Sequence, residues 1–184
     1  MIRTLALSFL VLVCGASLWA FQGAGEGEAA MQTPQPSAEH KLLHRCVGTW
    51  DATMNMMGQA SKGTMVVELG PGGFTTISHF KGDMLGMTFE GRGIDGYDAT
   101  KKKFVSIWTD NMIPAPMFTD GTWDEKTQTM SMFGEMSDMT GKMAKHRLAT
   151  TYTGADAMDF RVYALGADGK ETPSFDIHYA RKSK

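Results

Sequence analysis

Few residues in this chain stand at spacings that could do chemistry. Glu90 and Arg92 lie two apart in a strand-like stretch, so both project from one face. With Asp110 they could form an acid and base cluster inside a barrel, Glu90 and Asp110 carrying the proton transfers. The plainer account is a paired, solvated rim, and it is preferred because catalytic assignment needs geometry that spacing does not supply. Methionine is abundant, with 16 in 184 residues. Thioether sulfur selects Cu(I), and the hairpin that carries Met132, Met136 and Met139 could hold that ion. Methionine is also a flexible lining for apolar pockets, and the alternation of Met130 with Met132 fits one inward strand face, which is the stronger account. His79 and His178 fall in strand patterns, and His178 could serve a metal or haem from a lumen. A hydrogen-bonded structural histidine is the commoner case.

No Gly-x-Ser-x-Gly elbow, His-Glu-x-x-His, phosphate-cradling loop or Cys-x-x-Cys occurs. A non-enzymatic protein without a cofactor is therefore expected. The formal net charge of -2 gives no long-range attraction to nucleic acid. The two cysteines do not make a pair, since Cys14 falls in an N-terminal apolar run and Cys46 stands alone in the domain that follows.

Arg3 and the run from Leu5 to Val13 read as a secretory signal over residues 1–21, too short for a stable membrane span of roughly 20 apolar residues. A cleaved signal and a periplasmic or secreted protein are expected. Acylation at Cys14 is disfavoured by Val13 before it. Residues 22–37 are small, polar and proline-containing, and read as a flexible linker. Residues 38–184 then read as one domain.

The domain opens with a short helix capped by Ser37, with Leu42, Leu43 and Cys46 or Val47 facing inward. Everything after it alternates like strand: Gly48 to Met57, Gly63 to Leu69, Phe74 to Phe80, Met84 to Tyr97, Lys103 to Thr109, Met117 to Trp123, Thr127 to Glu135, Ala144 to Thr153, Met158 to Leu165 and Pro173 to Arg181. Gly86, Gly91, Gly93 and Gly96 are expected to mark bulges or sharp bends. About ten sequential antiparallel strands predict an all-β, up-and-down barrel, because closure removes unpaired edges. A two-sheet sandwich is the alternative.

The segment Gly48-Thr49-Trp50 after a short helix resembles the Gly-x-Trp signature of lipocalin and fatty-acid-binding barrels. That resemblance implies that Trp50 plugs the closed end and that Arg181 of the last strand packs across its indole. From His40 to Lys182 the chain also resembles an uncharacterised bacterial family of secreted lipocalin-like proteins known only as a domain of unknown function. The resemblance rests on Val47-Gly48-Thr49-Trp50, Phe89-Glu90-Gly91-x-Gly93-x-x-Gly96-Tyr97-Asp98, Trp108-x-Asp110-Asn111-Met112 and Gly121-Thr122-Trp123-Asp124. It implies a fold and export but no activity.

The reading that follows is a lumen for a small apolar or amphipathic molecule. Phe89, Trp108, Met117, Trp123 and Tyr163 would form its walls, with Glu90, Arg92, Asp110 or Arg161 at a polar end. A copper or haem carrier built on Met132, Met136, Met139 or His178 is the alternative. The oligomeric state is not legible in the sequence.

Overall fold

The computed structural model describes residues 33–56, 59–84, 86–137 and 142–183; the residues read as a signal, most of those read as a linker, and Met139 lie outside them. Ser37 caps helix α1 (Ala38–Leu43), and its backbone N–H donates to His40 Nδ1 at 3.1 Å. A single 3-10 turn (His44–Cys46) carries the chain from α1 into the first strand.

Ten strands follow: β1 (Gly48–Met56), β2 (Gln59–Leu69), β3 (Thr75–Met84), β4 (Met87–Asp98), β5 (Lys103–Asp110), β6 (Met117–Asp124), β7 (Thr129–Ser137), β8 (Met143–Tyr152), β9 (Ala157–Leu165) and β10 (Glu171–Arg181). Each pairs antiparallel with its sequence neighbours, and β1 pairs with β10, so the sheet is a closed barrel and the sandwich is excluded. No described helix is long and apolar enough to cross a membrane.

Two boundaries differ from expectation for steric reasons. β2 starts at Gln59, four residues before Gly63, and β3 runs through Gly82 to Met84. Gly63 and Gly82 face each other, and a Cβ on Gly63 would come within 2.5 Å of the Phe80 ring. The glycines are thus part of the strands, shaped to hold that ring. Nor do the glycines of β4 make bulges, since its register with β3 and β5 is unbroken. Gly91 and Gly93 leave room for Trp108, whose Cζ2 would lie 2.1 Å from a Cβ on Gly91. Only Gly86, at φ +81°, serves a turn. Among the described residues the one register shift falls in β10, between Pro173 and Phe175.

The alternation of β1 buries Trp50, Ala52 and Met54, and the registers carry this inner face around the ring. Val67, Phe80, Met158, Ile177 and Tyr179 join them in one apolar core. The closed end is sealed by α1 and the 3-10 turn. His40 packs edge-on to Phe74 and Tyr97, and Arg45 lies 4.2 Å over the Tyr152 ring and 5.5 Å from Trp123.

At the seal, Trp50 is fully buried and its Nε1 donates to the Cys46 carbonyl at 2.7 Å. The Arg181 guanidinium lies 4.0 Å from the centre of the indole and donates to the carbonyls of Val47 (2.7 Å) and Arg45 (2.9 Å). Gly48 sits at φ +133°, where a Cβ would approach Arg181 Nη1 to 2.6 Å. Glycine is therefore required twice over, by backbone conformation and by the guanidinium. Gly48→Ala is expected to destabilise the fold by about 2 kcal/mol, from the strained backbone and the displaced arginine together. A urea midpoint unchanged from the parent protein would contradict it.

Candidate functional site

Opposite faces of each strand decide which candidate residues can meet. Phe89, Trp108, Met117 and Trp123 all fall on the inner face. Asp110 does too, but it is engaged at the rim. It accepts from Trp108 Nε1 at 3.0 Å and from the backbone N–H groups of Met112 and Ile113 at 2.8 Å, and so fixes both the indole and the loop after β5. Trp123 belongs to the closed-end seal beside Arg45 and Tyr152.

Glu90, Arg92, Arg161 and Tyr163 lie on the outer wall, so the polar end assigned to them inside the barrel is not formed. Glu90 pairs with Lys81 at 2.9 Å, and that pairing holds its carboxyl below the usual range. Arg147 lies 4.3 Å over the Tyr163 ring and pairs with Glu171. Arg161 and Tyr163 help line a concavity of about 330 Å³ at the β10 bulge, open to solvent. Glu90 is next to Gly91, the register partner of Asp110, and so faces away from Asp110; the two cannot act on one substrate.

The carrier constellation is likewise divided. Met132 and Met136 face inward, but four residues apart on one strand they are separated by about 13 Å. Met139 is outside the described residues. His178 is on the outer wall, its Nδ1 2.8 Å from Asp159, and His79 also faces outward. Among the described residues no three His, Cys, Asp or Glu side chains converge as metal ligands.

Two features of the interior were not anticipated. The first is a polar band. Thr76, Asp95, Ser106 and Thr119 are successive register partners on β3, β4, β5 and β6, and the same row continues through Gly134 to His146. Thr76, Thr119 and His146 are buried, and His146 Nδ1 stands 2.9 Å from the Ala144 carbonyl. Among the described residues the buried Thr76 hydroxyl meets no well-formed hydrogen-bond partner, only the weakly bonding Cys46 thiol. Burial pushes the Asp95 carboxyl up, only partly offset by a hydrogen bond from Ser106. Burial and the nearby Asp95 charge push the Cys46 thiol up to about 12, and the thiol donates to the Leu43 carbonyl at 2.9 Å.

The second feature is an uneven filling. Inward side chains of β1, β3 and β10 are buried, among them Trp50, Met54, Phe80, Ile177 and Tyr179. On β4 to β7, Asp95, Ser106, Trp108, Met117, Met132 and Met136 point inward yet are only half-buried, so this wall keeps some accessible surface. At the end away from α1, Met84, Met87, Met117 and Met136 are inward-facing, Met112 lies in the loop after β5, and Met143 stands on the outer wall beside them. Met87 and Met143 are more than half exposed there. A mouth lined by flexible thioethers suits an adaptable apolar ligand.

The Asp95 carboxyl takes a proton more readily in the folded barrel than in the unfolded chain. Stability from this group is therefore intact below the unfolded value of about 3.9 and is lost as pH rises towards the folded one. Asp95→Asn is expected to raise the thermal midpoint at pH 7, with the advantage gone near pH 3.5. A parent protein more stable than the variant at pH 7 would contradict this.

Residues 35–181 match a protein family described as "Protein of unknown function (DUF1579)". No curated protein matches the chain. Among solved structures, the S-type phycobiliprotein lyase CPES from Guillardia theta is 10% identical with a TM-score of 0.52, over 80% of this chain and 94% of its own. A redesigned β-barrel is 16% identical at a TM-score of 0.41, covering 82% of this chain and 100% of its own. Another redesigned β-barrel, bound to DFHBI, is 17% identical at 0.39, covering 79% and 100%. At such identities the lyase speaks for a common barrel fold and for nothing about ligand.

Proposed function

Since the chain belongs to the DUF1579 family of proteins of unknown function, its role has to be sought in its own interior, and we propose that the barrel binds a small amphipathic molecule. The observation that carries this reading is the polar band of Thr76, Asp95, Ser106 and Thr119 across an inner wall that is mainly apolar. A barrel filled only for stability has no use for an inward, half-buried carboxyl without a cation and a buried hydroxyl with only a thiol beside it, each of which costs free energy. Half-buried Trp108, Met117, Met132 and Met136 would take the apolar body, and the methionine mouth would admit it. A few placed polar groups within an apolar lining are the usual composition of a small-molecule site.

Native mass spectrometry on the full chain, purified without denaturant, tests the proposal. A reproducible organic adduct, displaced by added amphiphiles that also raise the thermal midpoint, is the expected result. A bare mass together with no thermal shift from any amphiphile would overturn it.

A further inference from the structure

We propose that the ligand of this lumen carries a cationic amine head group, held by Asp95 with the hydroxyls of Thr76 and Ser106 beside it. This inference rests on the amphiphile-binding reading above and names the chemistry of its polar end.

Acidic and basic side chains on the inner face are few. Arg181 is committed to the Trp50 seal, and Asp110 is committed to Trp108 and the loop after β5. His146 is buried against the Ala144 carbonyl. Asp95 is left. No ion pair in the described residues includes it, and its one recorded side-chain partner is Ser106. Buried carboxylates are ordinarily paired or neutralised, because transfer of an isolated charge out of water is costly. An inward carboxyl with no protein cation, on a wall that keeps accessible surface, has its complement still to arrive.

The surroundings specify the sign and shape of that complement. Thr76 and Ser106 are the register partners of Asp95 on either side, so their Cβ atoms lie roughly 5 Å from its own. Thr119 continues the row beyond Ser106. The carboxylate and the hydroxyls beside it can all accept hydrogen bonds, and the fully buried Thr76 hydroxyl has no partner better than the Cys46 thiol. An alkylammonium presents three N–H donors from one point and matches such a set. A carboxylate or phosphate head group would meet Asp95 with like charge and find no arginine or lysine facing it from β3, β5 or β6, whose inward positions next to the row hold Ser78, Phe104, Trp108, Met117 and Gly121. Cys46 and Tyr152, the other titratable groups near Asp95, are both held neutral by burial. Arg45 is turned to the Tyr152 and Trp123 rings and to Gln128.

Isothermal titration of the full chain at pH 7 with dodecylamine, dodecanol and dodecanoate, each below its micelle-forming concentration, separates the possibilities. The three probes share one tail and differ in head group. Dodecylamine is expected to bind at least tenfold more tightly than dodecanol, and dodecanoate most weakly. Asp95→Asn should reduce amine affinity at least tenfold and dodecanol affinity far less, so that the preference for the amine disappears. Thr76→Val, which preserves shape and removes the hydroxyl, should weaken the amine several-fold. Equal affinity for all three probes, or an amine affinity indifferent to Asp95→Asn, overturns the head-group assignment while the binding reading stands. No binding by any probe overturns both.

Discussion

Replacing Trp50 by alanine is expected to cost about 3–5 kcal/mol of folding stability, read as a large fall in the urea midpoint with the slope preserved. The indole is fully buried at the centre of the apolar core. Its loss leaves a cavity, deprives the Cys46 carbonyl of its donor and removes the face over which Arg181 lies at 4.0 Å. The guanidinium would keep its bonds to Val47 and Arg45 but lose its aromatic partner. Since a small domain is stable by only about 5–15 kcal/mol, roughly a fifth or more of the margin sits in this one side chain. A loss below about 1 kcal/mol would mean that the seal is organised by α1 instead.

Gly121→Ala is expected to be comparably damaging for the opposite reason. A Cβ there would lie 1.8 Å from the Ser131 carbonyl oxygen and 2.7 Å from Met132 Cα. Both are backbone atoms of β7, so no rotamer change relieves the contact, and β6 must part from β7. The ladder between Phe118 and Asp124 would be disrupted, at about 3 kcal/mol or more. Hydrogen exchange gives the discriminating readout: amides of β6 and β7 should lose protection first, before those of β1 and β10. Uniform loss across the barrel would refute a local cause.

The barrel was legible because its evidence is redundant. Ten alternating segments at hairpin spacing and the trio Gly48, Trp50 and Arg181 point the same way, and the trio does form one seal. The interior was read less well, and β4 shows why. Its inward face runs Phe89, Gly91, Gly93, Asp95, Tyr97, which is almost bare of side chains in the middle because Trp108 fills the space from the next strand. Glu90 and Arg92 drew attention as the conspicuous polar pair, yet strict alternation forbids them from sharing a face with Phe89. The same rule separates Arg161 and Tyr163 from inward Val162. Asp95 was findable: it stands two residues from Tyr97 and six from Phe89, on the aromatic face. What alternation cannot supply is which residues across the ladder complete a row. The band from Thr76 to Thr119 becomes visible only once three registers are fixed.

The pairing of β1 with β10 ties residues 50–55 to residues 176–181. The first strand can therefore not complete its ladder until the last has been synthesised. During synthesis β1 exposes one unpaired edge, and Trp50 has no Arg181 to cover it, so the emerging chain is an open sheet with a sticky margin. Closure is a long-range event of the kind that makes all-β domains slow to fold, on a scale of milliseconds to seconds. A chain ending before Arg181 would lack both the staple and the partner strand, and its fate would be set by chaperones and proteases, not by its own stability.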